Sequence, residues 1–207
     1  MGIYAEHVLP RIVNVVGAMK VAREQRQRVC EGLHGQVVEV GFGSGLNVPF
    51  YPAAVISVAA IEPADVGWKL ATKRLASSDI PVQRSGLDGQ SLPLADDSCD
   101  TALTTWTLCT IPDVEAALLE LRRVLKPGGT LHFVEHGLAP DERVQRWQHR
   151  LEPIQKRLFG GCHLNRDTAT AIERAGFRLG ELEPFELPGA QRLARPAVQG
   201  VATMTSS

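Results

Sequence analysis

The stretch QVVEVGFGSGLN, residues 36–47, decides the fold of this chain. Its first part, Gln36 to Val40, is a short apolar run that predicts a buried strand. Its second part places glycines at 41, 43 and 45, in a turn whose backbone can approach a ligand closely because glycine has no Cβ. A packing turn has the same composition, so the turn must be judged by what surrounds it.

Two carboxylates flank this turn. Glu39 lies two residues before the first glycine, and Glu62 ends the next predicted strand, Val55 to Ile61. The carboxyl ends of parallel strands form the edge at which open α/β sheets bind ligands, so both side chains are expected there. A carboxylate at the end of the second strand can accept hydrogen bonds from both hydroxyls of a ribose. The pattern therefore predicts a nucleoside cofactor.

The glycine spacing separates two kinds of cofactor. It is G-x-G-x-G rather than the G-x-G-x-x-G of nicotinamide enzymes, and an acid precedes it. A pyrophosphate would be repelled by Glu39, whereas a cationic amino-acid tail would be attracted to it. These two features favour S-adenosylmethionine over NAD.

Strands and helices alternate along most of the chain, which is typical of a parallel α/β sheet. The last two strand-like runs are separated by a loop with Pro and Gly instead of a helix, which predicts an antiparallel pair. The predicted strands are 36–40, 55–61, 81–83, 99–104, 130–135, 177–185 and 198–205, and the predicted helices are 4–19, 21–33, 65–76, 114–125, 143–159 and a short one after Asn165.

Several helix ends carry their own signals. Asp113 and Asn165 are expected as N-caps, and Gly176 as a glycine just past a helix end. The Lys126–Gly129 segment, KPGG, is expected to stop the preceding helix. In the helix 65–76, one face is predicted to carry the residues Trp68, Ala71, Thr72 and Leu75.

Composition excludes other classes of protein. The 207 residues include 44% hydrophobic and 22% charged residues, which favours one folded domain over disorder. The net charge of −1 and the lack of a basic run argue against nucleic-acid binding. The four cysteines form no C-x-x-C pair, which suits a reducing, cytoplasmic location. Glu6, His7, Pro10 and Arg11 interrupt any signal peptide, and no later stretch reaches the ~18 apolar residues of a membrane span.

Four ordered motifs resemble those of the class I S-adenosylmethionine-dependent methyltransferases. They are VVEVGFGSGLN at 37–47, AIEP at 60–63, GLDGQSLPLADDSCDTAL at 86–103 and LRRVLKPGGTLHFVEH at 121–136. The resemblance runs from about residue 37 to 203. It implies an α/β, Rossmann-like, doubly wound seven-stranded sheet with an antiparallel last strand, plus N-terminal helices. We expect one domain with a helical lead-in (1–34), a cofactor-binding core (35–135) and an acceptor side (136–207).

The same resemblance implies roles for individual residues. Glu39 and the turn backbone would hold the methionine part of the cofactor, Glu62 the ribose, and Asp88 the adenine amino group. For Asp88, a role as a turn residue before Gly89 stays open. The predicted cofactor-binding residues are Glu39, Gly41, Phe42, Gly43, Gly45, Asn47, Glu62, Pro63, Asp88, Gly89, Thr105 and Trp106.

The later part of the chain resembles a narrower subgroup of this family. Residues 147–168 and the segment WTLCTIPD at 106–113 are similar to the thiol S-methyltransferase subgroup and its bacterial relatives. This implies a small-molecule acceptor, with a small hydrophobic thiol first and a quinone, phenol or amine as alternatives. A nicotinamide oxidoreductase and a non-catalytic cofactor-binding module also stay open. Mammalian members carry an apolar N-terminal anchor that this sequence lacks, so peripheral membrane contact is left open, as is the oligomeric state.

Two histidines are candidates for the acceptor side. His136 follows the fifth strand and His163 lies in the loop GGCH, where a purely structural role is equally open. Strand alternation places His132 and Glu135 on opposite faces, so no metal site is expected. Residues 147–168 are expected to form a lid over the acceptor, and Trp106 and Tyr4 to wall the pocket. The predicted apolar lid members are Trp147, Leu151, Ile154, Leu158 and Phe159.

Overall fold

The computed structural model describes residues 9–158, 161–187, 190 and 192–205. Its strands are β1 (Gly35–Val40), β2 (Val55–Ile61), β3 (Val82–Gly86), β4 (Cys99–Thr105), β5 (Leu125–His136), β6 (Phe177–Glu186) and β7 (Pro196–Met204). Its α-helices are α1 (Leu9–Val16), α2 (Lys20–Cys30), α3 (Asp65–Ala76), α4 (Val114–Val124), α5 (Glu142–Leu158) and α6 (Thr168–Arg174).

The strands form one sheet in the order β3-β2-β1-β4-β5-β7-β6. β1 pairs in parallel with β2 on one side and with β4 on the other. The chain therefore reverses its direction of travel across the sheet at β1, and ligands of open α/β sheets bind at the carboxyl ends of the strands at such a point. The predicted glycine turn leaves β1 at this position.

Helices cover both faces of the sheet. Side chains of α4 and α6, among them Leu118 and Ile172, pack on one face with Val38 and Phe133. Val29 of α2 packs on the opposite face with other strand residues, which include Val37, Leu103 and Val134. Neighbouring residues of one strand thus enter different cores, as the pleat requires. This confirms the predicted doubly wound sheet.

β7 lies between β5 and β6 and is antiparallel to both. The antiparallel last strand is therefore confirmed. The Asp113 cap is also confirmed, because its carboxylate accepts a hydrogen bond from the Ala116 amide. Gly176 follows α6 with a φ of +88°, as expected of a glycine that ends a helix.

Four local predictions were wrong. β3 begins at Val82 rather than Pro81, since proline has no N–H for the ladder, and the Pro81 carbonyl instead accepts from the Val58 amide. α3 forms as predicted, but Thr72 is exposed. α4 ends at Val124 before the KPGG segment, because Leu125 already pairs with Cys99 in the sheet.

The cap of α6 is the fourth correction. Asp167, not Asn165, accepts the hydrogen bond from the Thr170 amide. Asn165 is engaged by α5 instead, where its amide donates to Glu152. The contact of Asn165 with Glu152 therefore replaces the capping role that its residue type predicts.

Tyr4 and Phe159 lie outside the described residues. None of the helices among the described residues combines the length and the apolar character needed to cross a membrane.

Candidate functional site

The glycine turn after β1 is held tightly on one side and open on the other. Gly41, Gly43 and Gly45 have φ angles of +79°, +58° and +70°. A Cβ on Gly41 would lie 2.0 Å from Thr107 Oγ1, so the loop after β4 presses directly on the turn. A Cβ on Gly43 would meet nothing nearer than the Gly41 carbonyl oxygen at 3.9 Å. The turn therefore leaves space beside Gly43 for a ligand.

Glu62 links this turn to the segment that leads into α3. Its Oε2 accepts from the Gly43 amide at 2.6 Å, and its Oε1 accepts from the Ala64 amide at 2.7 Å. Burial raises the pKa of Glu62, and the two amides and Arg84 oppose that rise. The carboxylate is thus fixed in place at the carboxyl end of β2.

Glu39 lies at the centre of a buried network. Asn47 Nδ2 donates to its Oε1 at 2.9 Å, and the Tyr51 hydroxyl donates to its Oε2. Burial raises the pKa of Glu39 to about 7, although Tyr51, Asn47 and Arg26 act in the opposite direction. Its charge is therefore sensitive to small changes of its surroundings near neutral pH.

Arg26 on α2 completes the network and was not predicted from the sequence. Its Nη1 donates to Asn47 Oδ1 at 2.7 Å and to Thr105 Oγ1 at 2.9 Å. The guanidinium lies over the Trp106 ring, 4.8 Å from its centroid. Burial lowers the pKa of Arg26 to about 10. The missed signal was its spacing, because Arg26 precedes the buried Val29 and Cys30 by three and four residues and so shares their face of the helix.

The structure therefore joins several predicted residues. Asn47, Thr105 and Trp106 meet around Arg26, and Glu39 contacts the same Asn47. Gly89 is also close, since a Cβ there would lie 2.6 Å from Val40 Cγ1. The loop after β3 thus crosses the end of β1.

Three other predicted cofactor-binding residues are buried in the core or exposed at the surface. The Phe42 side chain is buried in a cluster under α3, with its ring centroid 5.2 Å from that of Trp68. Pro63 is exposed. Asp88 is exposed as well, and its Oδ1 accepts from the Gln90 amide at 2.9 Å, as in a turn. The adenine role of Asp88 stays a prediction.

The loop after β4 is anchored by Glu135 of β5. This buried carboxylate accepts hydrogen bonds from the amides of Thr107 and Leu108 at 3.0 Å and from that of Cys109 at 3.2 Å. Trp106 begins the loop in a left-handed conformation, with a φ of +52°. Its Nε1 is buried without a hydrogen-bond partner. A ligand with an acceptor atom could satisfy this N–H.

His136, the last residue of β5, lies at the neighbouring strand end. Burial lowers its pKa to about 4, and a hydrogen bond to the Ala194 backbone opposes that change. Its Nδ1 is buried without a partner. The ring is therefore neutral at pH 7 and keeps a lone pair that can accept a hydrogen bond.

His163 belongs to a separate cluster with α5. Its Nδ1 lies 2.8 Å from Glu152 Oε1, and its backbone amide donates to the Cys109 carbonyl at 2.7 Å. Burial lowers the pKa of His163 despite the nearby carboxylate. The structure thus places His163 beside the loop after β4 but gives it a protein partner of its own.

α5 does not present all of its predicted lid residues to the interior. Trp147 and Ile154 are 53% and 59% exposed, whereas Gln148 is buried. The Gln148 side chain accepts from the Ala139 amide at 3.0 Å and donates to the Leu193 carbonyl at 3.0 Å. α5 is therefore held to the body by this glutamine. Across the described ranges, no three His, Cys, Asp or Glu side chains are grouped to hold a metal ion.

These residues fit a nucleoside cofactor with an amino-acid tail. The opening beside Gly43, the carboxylate of Glu62 and the buried opposite charges of Glu39 and Arg26 lie together at the switch point of the sheet. A cofactor of this kind needs a ribose acceptor and groups of both signs for its amino-acid end.

Comparison with known proteins agrees with this geometry. A family model described as a methyltransferase domain matches residues 38–133. Thiol S-methyltransferase TMT1A of Homo sapiens is 35% identical over 170 residues, which cover 80% of this chain and 69% of that protein. Thiol S-methyltransferase TMT1B of Mus musculus is 38% identical over 180 residues, covering 82% and 73%. The crystal structure of a SAM-dependent methyltransferase from Aquifex aeolicus has a TM-score of 0.66 at 17% identity, covering 95% and 98%, which speaks for the fold alone.

Proposed function

Because the chain belongs to the class I S-adenosylmethionine-dependent methyltransferases, we propose that it methylates a small hydrophobic thiol. The relatives that support this acceptor are named thiol S-methyltransferases and match about four fifths of the chain. When bound, S-adenosylmethionine supplies a methyl group on a sulfonium sulfur, open to in-line displacement. The protein's task is to align the acceptor and exclude water.

The weakness of His136 as a base carries the choice of a thiol. The pKa of His136 is lowered to about 4 by burial, so this ring is a poor proton acceptor at neutral pH. A thiol with a pKa of about 8.5 is roughly 3% ionised at pH 7, whereas a phenol with a pKa of about 10 is roughly 0.1% ionised. An alkyl amine is almost fully protonated there. A thiol therefore needs the least help from a base.

The cofactor side would be divided among the residues of the switch point. Glu62 would accept the ribose hydroxyls, Asp88 would face the adenine amino group, and Glu39 with the glycine turn would hold the methionine end. On the acceptor side, His136 Nδ1 would accept a hydrogen bond from the neutral thiol as it binds, before the thiol ionises. The Trp106 ring would form a wall at the neighbouring strand end.

One observation favours a second acceptor class. His163 and Glu152 form a close pair, and a carboxylate that orients a histidine is a common arrangement for a general base. A phenol would profit more from such a base than a thiol, because less of it is ionised. A phenol methyltransferase is therefore the second candidate.

The test is a turnover assay with purified protein, S-adenosylmethionine and matched aryl and alkyl thiols, phenols and amines. We expect methylation of thiols, with kcat/KM rising about tenfold per pH unit up to the pKa of the acceptor thiol. Ready methylation of phenols or amines without any activity on thiols would refute the thiol proposal.

Variants of His163 distinguish the two candidates. If His163 acts as a base, His163→Ala lowers kcat more for a phenol than for a thiol and leaves cofactor affinity unchanged. Glu152→Gln is the matched variant, because it keeps the hydrogen bond to the ring and removes the charge. Equal activity of His163→Ala and the parent on every acceptor would assign the histidine a structural role in its loop.

A further inference from the structure

Two of the four cysteines meet in space although they are far apart in sequence. Cys109 lies in the loop after β4, and Cys162 lies in the segment between α5 and α6. Both are buried, and together with Leu164 they form a small apolar cluster of their own. All four cysteines are free, and the thiols of this pair are hydrogen-bonded to each other. The methyl transfer described above makes no use of the pair.

Backbone contacts hold the two cysteines at close range. The amide of His163, the residue after Cys162, donates to the Cys109 carbonyl at 2.7 Å. Arg166 Nη1 donates to the carbonyl of Leu108, so the same two segments are joined a second time. Segments joined in this way are spaced like neighbouring strands, about 4.7–4.9 Å apart, and a disulfide joins Cα atoms about 4.4–6.8 Å apart. The pair is therefore placed for a direct S–S bond.

The two thiols are not equivalent. The hydrogen bond from the Cys109 thiol lowers the pKa of Cys162, and the positive charge of Arg166 acts in the same direction. That bond and burial raise the pKa of Cys109, which therefore keeps its proton. Cys162 is also the more accessible of the two, with 8% of its surface exposed against 1% for Cys109. Since the thiolate is the form that peroxides oxidise, Cys162 is the first to react.

The other two cysteines have different surroundings. Cys30 and Cys99 belong to separate core clusters, neither of which contains a second cysteine. Burial raises the pKa of both thiols. Neither residue combines an acidified thiol with a neighbouring thiol, so the chain provides its own controls for the reactivity of the pair.

We propose that Cys109 and Cys162 are a modification site at which hydrogen peroxide oxidises the two thiols to a reversible disulfide. The Cys162 thiolate attacks one peroxide oxygen, the O–O bond breaks, and a sulfenic acid forms while hydroxide leaves and is protonated to water. Cys109 then attacks the Cys162 sulfur, so that the S–S bond forms, the S–O bond breaks and the Cys109 proton leaves with the oxygen as water. Two electrons thus pass from the two sulfurs to one peroxide.

The bond would join two segments on the acceptor side of the molecule. One is the loop that begins at Trp106 and presses on the glycine turn, and the other contains His163. The chemistry of the pair is independent of which acceptor is methylated. A disulfide that closes a loop of roughly 50 residues restricts the unfolded chain, so the oxidised protein should melt about 5–10 °C higher than the reduced protein.

The experiment treats the purified, reduced protein with hydrogen peroxide, alkylates the remaining thiols and digests the protein with trypsin under non-reducing conditions. We expect the tryptic peptides 85–122 and 158–166 to be joined, with a mass about 2 Da below their sum. Dithiothreitol should separate them and return the melting temperature to that of the reduced protein. The oxidised protein should stay a single chain on a non-reducing gel.

Two variants assign the bond to its residues. Peptide 85–122 also contains Cys99, so Cys99→Ser is the matched control and should keep both the joined peptides and the higher melting temperature. Cys162→Ser should lose both. Loss of the joined peptides in Cys99→Ser would refute the pairing. Cys99→Ser also decides the question if Cys162→Ser does not fold, because each joined peptide then contains one cysteine.

Three further results would overturn the proposal. In the first, peroxide that oxidises the urea-unfolded protein leaves the thiols of the folded protein free. In the second, Cys162 gains about 32 Da as a sulfinic acid without joining Cys109, which would mean that the second thiol cannot reach it. In the third, the joined protein melts at a lower temperature than the reduced one, which would mean that the bond forms at the expense of the fold.

Discussion

The carboxyl ends of β1 and β5 each carry a fully buried glutamate, and the two are held in different ways. Glu39 at the end of β1 is bound by the side chains of Asn47 and Tyr51. Glu135 near the end of β5 is bound by three backbone amides of the loop after β4. Side-chain donors can turn toward a ligand, whereas backbone amides cannot move without unfolding their loop. The comparison separates a carboxylate available to a ligand from one committed to the fold.

Burial raises the pKa of both carboxyl groups, and in Glu39 to about 7. Ionised Glu39 therefore lies in an unfavourable environment that a cationic ligand would relieve. For Glu135, the cost of burying the carboxylate is compensated by the three backbone hydrogen bonds that it accepts. We expect changes at Glu135 to affect stability and changes at Glu39 to affect binding.

Glu135→Ala should have the largest effect. It would leave three amides of the loop after β4 without partners, at a cost of about 1–3 kcal/mol for each of the two buried ones, so the unfolding free energy should fall by at least about 2 kcal/mol. Urea denaturation followed by circular dichroism measures this. Glu135→Gln should lose less, because its remaining oxygen can still accept two of the amides. A loss below about 1 kcal/mol in Glu135→Ala would contradict the assigned role.

Glu39→Gln should have the opposite effect, because it should weaken cofactor binding and leave the stability of the fold unchanged. Since burial disfavours the ionised carboxylate, its replacement by the neutral isostere should not lower stability at pH 8. The affinity for S-adenosylhomocysteine should fall about 10- to 100-fold, because the ligand ammonium loses its counter-charge. Calorimetry measures the affinity, and urea denaturation of the same preparation measures the stability. Lower stability with unchanged affinity would show that Glu39, like Glu135, supports the fold and does not bind the cofactor.

A pH titration of cofactor affinity tests the role of Glu39 through a smaller effect. Below the Glu39 pKa of about 7 the carboxyl group holds a proton that must leave before it can pair with an ammonium. The affinity for S-adenosylhomocysteine should therefore be roughly tenfold lower at pH 6 than at pH 8, and Glu39→Gln should remove this dependence. The Tyr51 hydrogen bond lowers this pKa, so Tyr51→Phe should move the midpoint upward. A flat profile in the parent would contradict the role of Glu39.

The carboxylates of β1 and β2 were predictable because each lies at the carboxyl end of a strand in a fixed local pattern. The glycine turn followed from the same local pattern, whereas the antiparallel β7 followed from the loop with Pro and Gly that precedes it and from the family resemblance. Arg26 was not found, since its partners Asn47 and Thr105 are 21 and 79 residues away in sequence. Spacing on one helix can indicate that a charge is buried but not what it meets.

The acceptor side was less predictable because it is built from contacts between distant segments. Asn165 has the composition of a helix cap, yet Glu152 of α5 engages its side chain. Trp147 and Ile154 have the apolar character of a lid and are nevertheless more than half exposed. Which face of α5 turns inward is set by Gln148 and its backbone partners rather than by hydrophobic periodicity.

The position of β7 between β5 and β6 has a consequence for synthesis of the chain on the ribosome. β5 ends at His136, but its antiparallel partner begins only at Pro196. At about 5–20 residues per second, the intervening segment of roughly 60 residues takes about 3–12 s to make. During that interval the nascent sheet has an open hydrogen-bonding edge along β5, with Leu131 and Phe133 beside it. Such an edge is a site for mispairing with other chains and for recognition by chaperones until the final strand closes it.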